Sequence, residues 1–151
     1  MKLPKDFREF IELLNSESVK YVIVGGYAVA FHGHPRFTGD IDFFVEPSAD
    51  NAARLRRVMQ RFGFGATGLM DSDFSAKDQV IQLGVPPIRI DIITGISGVS
   101  FEDAWVSRVE STLDDLSVNF IGKAALIKNK EAAGRTKDAA DSEEMGRENQ
   151  G

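Results

Sequence analysis

Residues 19–25 read VKYVIVG and residues 40–46 read DIDFFVE, two short apolar runs, the first ending in glycine and the second opening on two aspartates. A run that is apolar at successive positions, rather than at alternate ones, is the pattern of a strand buried on both faces. Such strands need cover on each side, which confines the chain to a layered fold of sheet and helices. The expected class is α/β (α+β), a small mixed or antiparallel sheet flanked by helices. With 151 residues, 42% of them apolar, there is material for one core. Residues 1–151 are therefore read as a single domain, with the core over 19–121 and C-terminal helices over 122–147.

The remaining periodicities supply the helices. Phe7, Phe10, Ile11 and Leu14 fall at i, i+3, i+4 and i+7, so an amphipathic helix starts soon after Pro4 and packs on the sheet. Gly25 and Gly26 mark a tight turn before a short helix over 27–31, and the breaker-rich HGHPRFTG over 32–39 is a loop. Ser48 caps a helix whose apolar positions are Ala52, Leu55, Met59 and Phe62, with Arg54, Arg56, Arg57 and Arg61 toward solvent. Residues 63–73 are turn-rich with room for one short strand. Residues 79–83 and 88–93 read as a hairpin across Gly84, Val85, Pro86 and Pro87, and 109–121 as a weaker strand pair around Asp114 and Asp115. Between these pairs, 101–106 reads as a helical turn. From Gly122 the composition favours helix. Gly134 is expected to break that helix, with a second beginning near Thr136.

Charge and cysteine content remove several classes. There are 23 acidic against 18 basic residues, a net charge of −5, so unspecific attraction to a nucleic-acid backbone is not the main activity. With no cysteine, disulfide scaffolds, thiolate metal sites and cysteine nucleophiles are excluded. No apolar run approaches the roughly 20 residues that span a bilayer. Acids interrupt the first apolar positions, unlike a secretory segment, so a cytoplasmic protein with no membrane partner is expected.

The residues that carry chemistry begin with the Gly pair, followed after thirteen residues by Asp40-Ile41-Asp42. Strand alternation puts Asp40 and Asp42 on one face and Ile41 and Phe43 on the other. Adjacent carboxylates repel unless a cation joins them, which makes the pair a seat for a hard divalent ion such as Mg²⁺. Asp91, inside RIDIIT, is a third acid aimed away from Ile90 and Ile92. If the two strands are neighbours, three carboxylates converge, the ligand set for two metals roughly 3.5–4 Å apart that clamp an in-line phosphoryl displacement. The competing reading makes Asp40 and Asp42 strand-end surface acids and Asp91 the partner of Arg89, which shares its face. Arg36 and Thr38, in the loop before the acids, place a guanidinium and a hydroxyl where they can reach phosphate oxygens. His32 and His34, candidate bases or ligands, are read as loop residues without a catalytic role. Lys123, Lys128, Lys130, Arg135 and Lys137, against the single Glu131, form a basic patch suited to a triphosphate or an RNA end, or else an ordinary solvated face.

GGYAVAFHGHPRFTGDIDFFV resembles the Gly-Gly plus Asp-x-Asp signature of the polymerase-beta-like nucleotidyltransferase superfamily, and RIDIIT its third-carboxylate strand. Within it, ALIKNKEAAGRTKDAAD is similar to the Lys-containing helix and Lys-Asp motif of the AbiEii/AbiGii toxin-type nucleotidyltransferases and their short stand-alone relatives. The resemblance implies a Mg²⁺-dependent enzyme, with two ions, that moves a nucleoside monophosphate from an NTP such as ATP to a hydroxyl acceptor, its active site along one sheet edge. Gly25 and Gly26 would let the backbone approach the triphosphate, Asp40 and Asp42 would bind the metals, and Asp91 would hold one metal and help activate the acceptor. Lys128, or Lys130 two residues on, would contact the triphosphate, and Asp138 would orient the lysine or act as an accessory base. Of the two, Lys128 is expected to lie with its stem near the core. The acceptor is left open among a tRNA, a protein and a small molecule; a toxin–antitoxin setting would make it a tRNA or protein hydroxyl, with an antitoxin or a second copy as partner. Two alternatives stand beside it: an antibiotic-type enzyme acting on a small molecule, and a non-catalytic module of the same fold.

Overall fold

The computed structural model describes residues 2–34, 38–63, 71–85 and 88–145, with the backbone alone for residue 85 and for 135–145. Six strands form one mixed sheet in the order β3-β4-β2-β1-β6-β5: β1 (Tyr21–Val24), β2 (Asp40–Val45), β3 (Val80–Val85), β4 (Ile88–Ile93), β5 (Val109–Leu113) and β6 (Leu116–Phe120). The β3/β4, β1/β2 and β5/β6 pairs are antiparallel, whereas β2/β4 and β1/β6 are parallel. The helices are α1 (Lys5–Ser16), α2 (Gly25–Phe31), α3 (Ala49–Phe62), α4 (Asp71–Ser75), α5 (Phe101–Val106) and α6 (Lys123–Met145). Among the described residues, none is long and apolar enough to cross a membrane.

The apolar runs behave as their pattern requires: all four β1 residues are buried. Successive residues of β2 show both covered faces at once. Phe43 packs on Phe10 of α1 at 5.6 Å between ring centroids, while Phe44, pointing the other way, packs edge-on against Phe101 of α5 at 5.2 Å. Phe7, Phe10, Ile11 and Leu14 are the buried face of α1, each contributing about 1.5–3 kcal/mol by leaving water. Ser48 caps α3 by accepting from the Asn51 N–H, and Gly63 closes that helix in the left-handed region. Asn51 is wholly buried and fully used. Its Oδ1 accepts from Lys20 N–H, and its Nδ2 donates to the carbonyls of Lys20 and Glu46, tying α3 to the ends of β1 and β2.

Four expectations are corrected. Gly134 does not break the last helix: α6 runs unbroken through it, because a glycine with open space around it costs a helix only about 1 kcal/mol against alanine. Gly84 and Val85 belong to β3, paired with Arg89 and Ile88, rather than to the loop of the hairpin. The glycines at 25 and 26 already lie in α2 rather than in a turn preceding it. The acids lie not along an edge but on β2 and β4, two interior strands, because the parallel pairing of β2 with β4 leaves β3 to form the edge. The strand expected within 63–73 falls mostly on residues outside those described; the last of them open α4 instead.

Candidate active site

The parallel register of β2 on β4 pairs Asp42 with Asp91 and Asp40 with Arg89. Alternation then places all four side chains on one face of the sheet, the face that carries Phe44 and α5, while Ile41, Phe43, Ile90 and Ile92 fill the other. Three acids and one base thus form a square on two neighbouring strands. Asp91 is the most deeply set, one of the few buried polar residues, and Asp40 and Asp42 are half-buried.

Arg89 is the centre of the ion pairing. Its Nε donates to Asp91 Oδ1 at 2.7 Å, and its Nη2 donates to Asp91 Oδ2 at 3.1 Å and to Asp40 Oδ2 at 3.0 Å. Both readings of these acids therefore describe the same residues: Asp91 does partner Arg89, and it also faces Asp42. Arg89 cannot neutralise all three. Burial, then the hydrogen bond with Asp91 and the charges of Asp91 and Asp40, push the Asp42 carboxyl up to about 7, and Arg89 offsets this only in part. The same acids raise the Arg89 guanidinium above its usual range.

The donor set fits a hard divalent cation, since the oxygens are all carboxylate and carry more negative charge than the one guanidinium balances. As they stand, however, no three acidic or histidine side chains among the described residues are gathered tightly enough to enclose an ion. Arg89 occupies both oxygens of Asp91 and one of Asp40.

The glycine pair explains itself at this point. Gly25 follows β1 directly and has φ +71°; a Cβ on it would overlap the Asp42 carboxylate. A Cβ on Gly26 would meet the Thr38 side chain at 2.9 Å. Gly25 therefore lays bare backbone against Asp42, and Gly26 against Thr38 in the segment leading into β2.

The other expected residues divide. Thr38 is half-buried, and its hydroxyl donates to the Asp40 carbonyl at 3.1 Å, so it shapes the start of β2. Arg36 and the Asp138 side chain lie outside the described residues. His32 bonds through Nε2 to the Ile121 carbonyl at 2.7 Å, joining α2 to the end of β6, and His34 is exposed; both stand apart from the acids' hydrogen bonds. Lys128 is exposed, contrary to the expectation that its stem lies near the core. The packed face of α6 is instead Leu126, Asn129 and Ala132, with Asn129 donating to the Ser97 carbonyl at 2.9 Å and Ala132 against Gly98. Ala124, expected to approach the sheet, is exposed. Sequence reasoning gave Arg89 a part only in the competing reading, although its i−2 spacing from Asp91 put both on one face.

Comparison with known proteins bears on this geometry. A crystal structure described as a "putative nucleotidyltransferase" (TM1012) from Thermotoga maritima is similar, with a TM-score of 0.63 at 16% identity over 89% of this chain and 86% of that one. At that identity the likeness concerns the fold. No curated protein matches. The family model described as nucleotidyl transferase AbiEii toxin, type IV toxin–antitoxin system, matches residues 13–123, which include β1, α2 and the strands bearing all three acids. With well over half of its length matched in this way, the chain belongs to the AbiEii nucleotidyltransferase toxin family and is a nucleotidyltransferase.

Proposed function

We propose that the chain, acting as one catalytic domain, transfers a nucleoside monophosphate from an NTP to a hydroxyl of its target in a Mg²⁺-dependent reaction, as the toxin of a toxin–antitoxin pair. The observation that carries this reading is the square on β2 and β4, where Asp42 lies opposite Asp91 and Asp40 opposite Arg89, with the bare backbone of Gly25 against Asp42. Asp40, Asp42 and Asp91 are the residues that would hold Mg²⁺. When bound, such ions neutralise charge on the attacking and leaving oxygens. Gly25 and Gly26, which carry no side chain where Asp42 and Thr38 press against them, are the backbone that would approach the triphosphate. Asp91, the most enclosed of the three, orients the acceptor hydroxyl and accepts its proton as the oxygen attacks the α-phosphorus and pyrophosphate departs.

Lys128 and Lys130 flank Asn129 on opposite sides of α6, so only one of them faces a given ligand; Lys128 is read as the triphosphate contact. Arg36 and Asp138 remain further candidates at the nucleotide. The exposed Lys123, Lys128 and Lys130 favour an anionic acceptor such as an RNA end over a cationic antibiotic. An antitoxin is the expected protein partner and the cytoplasm the expected compartment.

The test is incubation of the purified protein with each labelled NTP, Mg²⁺ and a panel of tRNA, protein and aminoglycoside acceptors, read by mass shift. Addition of one nucleoside monophosphate to an RNA or protein acceptor is expected. Modification of the aminoglycoside alone would move the assignment to a resistance enzyme, and no modification with NTP still bound would leave a non-catalytic module.

A further inference from the structure

The square at the head of β2 and β4 contains its own cation. Arg89 is fixed there by register, opposite Asp40, and by alternation, on the same face as Asp91. Its side chain makes three hydrogen bonds to acids of the site, two to Asp91 and one to Asp40. The side chain is only 21% exposed, so this is an ordered pairing rather than a loose surface contact. A bidentate fork on one carboxylate plus a third bond on another engages Nε and Nη2 wholly with the site's acids.

Resting on the reading of these acids as metal ligands, we propose that Arg89 is the resident counter-ion of the metal-free site, and that a divalent cation loads by exchange, with the guanidinium leaving Asp40 and Asp91 as the ion takes their oxygens. Three observations lead there. The oxygens on offer are the ones Arg89 already holds. Guanidinium does not lose its proton in proteins, so it cannot yield by neutralising and must yield by moving. Two cations on the same carboxylates, in a site partly shielded from water, repel one another strongly. Removing Arg89 without a metal, in turn, leaves three carboxylates on adjoining strands with no guanidinium between them. Arg89 on this account keeps the empty site assembled and sets the cation concentration at which it fills.

The experiment uses the full chain without nucleotide, and Mn²⁺ as the probe, with free Mn²⁺ read by electron paramagnetic resonance. Arg89→Gln is expected to bind Mn²⁺ at least about tenfold more tightly than the unaltered protein, since a competing charge-assisted pair is removed. Its metal-free melting temperature should fall and its rise on adding Mn²⁺ should exceed that of the unaltered protein. Should Arg89→Gln not fold, Arg89→Lys, which keeps the charge and loses the fork, is expected to gain severalfold. Equal or weaker binding in whichever variant folds would overturn the exchange and make Arg89 a fixed support for the acids.

A second readout separates displacement from a mere field effect. In the unaltered protein the Arg89 Nε–H resonance should move toward that of a solvent-exposed arginine on addition of Mg²⁺, and an unchanged resonance with the metal bound would overturn the exchange. Asp42→Asn distinguishes the two ways of failing. If the unaltered protein binds Mn²⁺ and Asp42→Asn does not, the metal reading holds whatever Arg89 does. If neither binds, the metal reading and the exchange fall together.

Discussion

Two aspartates, one on an interior strand of the sheet and one in its edge hairpin, show how differently one side chain can be used. Asp114, in the turn between β5 and β6, accepts the Leu3 backbone N–H at 3.0 Å and pairs with Arg8 at 3.3 Å, and that support holds its carboxyl below the usual range. It adopts φ +51° in a tight two-residue turn and fastens the chain's start to the far hairpin. Asp42 is half-buried beside two other acids, and its carboxyl is pushed up instead. An acid whose partners outweigh its desolvation contributes to the fold. An acid that is desolvated among like charges is held at a cost that the fold does not need, which supports the proposal that Asp42 serves ligand binding.

The sharpest way to break this comparison is to remove each carboxylate in turn. Asp42→Asn should lower nucleotidyl transfer at least about a hundredfold, more than is usual for losing a residue that merely supports a metal ligand, while the metal-free protein melts no lower than the unaltered one. A variant that unfolds, or one that keeps most of its turnover, would place Asp42 in the same class as Asp114.

The opposite shifts also predict opposite pH behaviour. Asp42 binds its proton more tightly folded than unfolded, so the stability it permits is greatest below its ordinary value of 3.8 and declines as pH rises toward about 7. Asp114 does the reverse: its contribution is present above that ordinary value and is lost as pH falls below it. Metal competes with the Asp42 proton, so Mg²⁺ affinity should weaken by up to about tenfold for each pH unit below 7. Isothermal titrations between pH 5.5 and 8 check this, and Asp42→Asn should flatten the profile. A flat profile in the unaltered protein would show that Asp42 stays ionised throughout.

Glycines sharpen the same contrast on a smaller scale. Gly25→Ala places a Cβ in the Asp42 carboxylate at a positive φ, so a loss of about 1–3 kcal/mol in chemical denaturation, with transfer impaired, is expected. Gly134→Ala, in open space on α6, should stabilise by about 0.5–1 kcal/mol. Equal outcomes would mean that the glycine pair is not shaped by the acids.

The smallest effect belongs to the structural acid. Asp114→Asn should lower the melting temperature by a few degrees, with transfer per folded molecule unchanged. Loss of transfer at constant stability would link the far hairpin to the site.

What could be read along the chain was whatever depends on near neighbours. Alternation in DIDFFVE put Ile41 and Phe43 inside and the two acids together, and the spacing of Phe7, Phe10, Ile11 and Leu14 marked a helix face, because both periods are properties of local backbone geometry. The resemblance carried by the glycine pair and the Asp-x-Asp strand was likewise visible in one stretch of sequence. Helix continuity through Gly134 was misread, since the preference at stake there is small and the rest of α6 outweighs it.

Only the tertiary structure decided which strands adjoin. Asp42 and Asp91 are separated by 48 residues of chain and meet because β2 and β4 pair in parallel, a contact that no local period encodes. From that pairing follow the crowding of Asp42 by Asp91 and the position of Arg89 between Asp40 and Asp91, while the overlap that forbids a side chain at Gly25 follows from the pairing of β1 with β2. The packed face of α6 was settled in the same way, by Gly98 and Ser97 across the chain rather than by the helix's own weakly amphipathic sequence. The sequence by itself determined which residues could carry the chemistry, because residue type and periodicity are local; distance, burial and charge balance arise only when remote segments pack together.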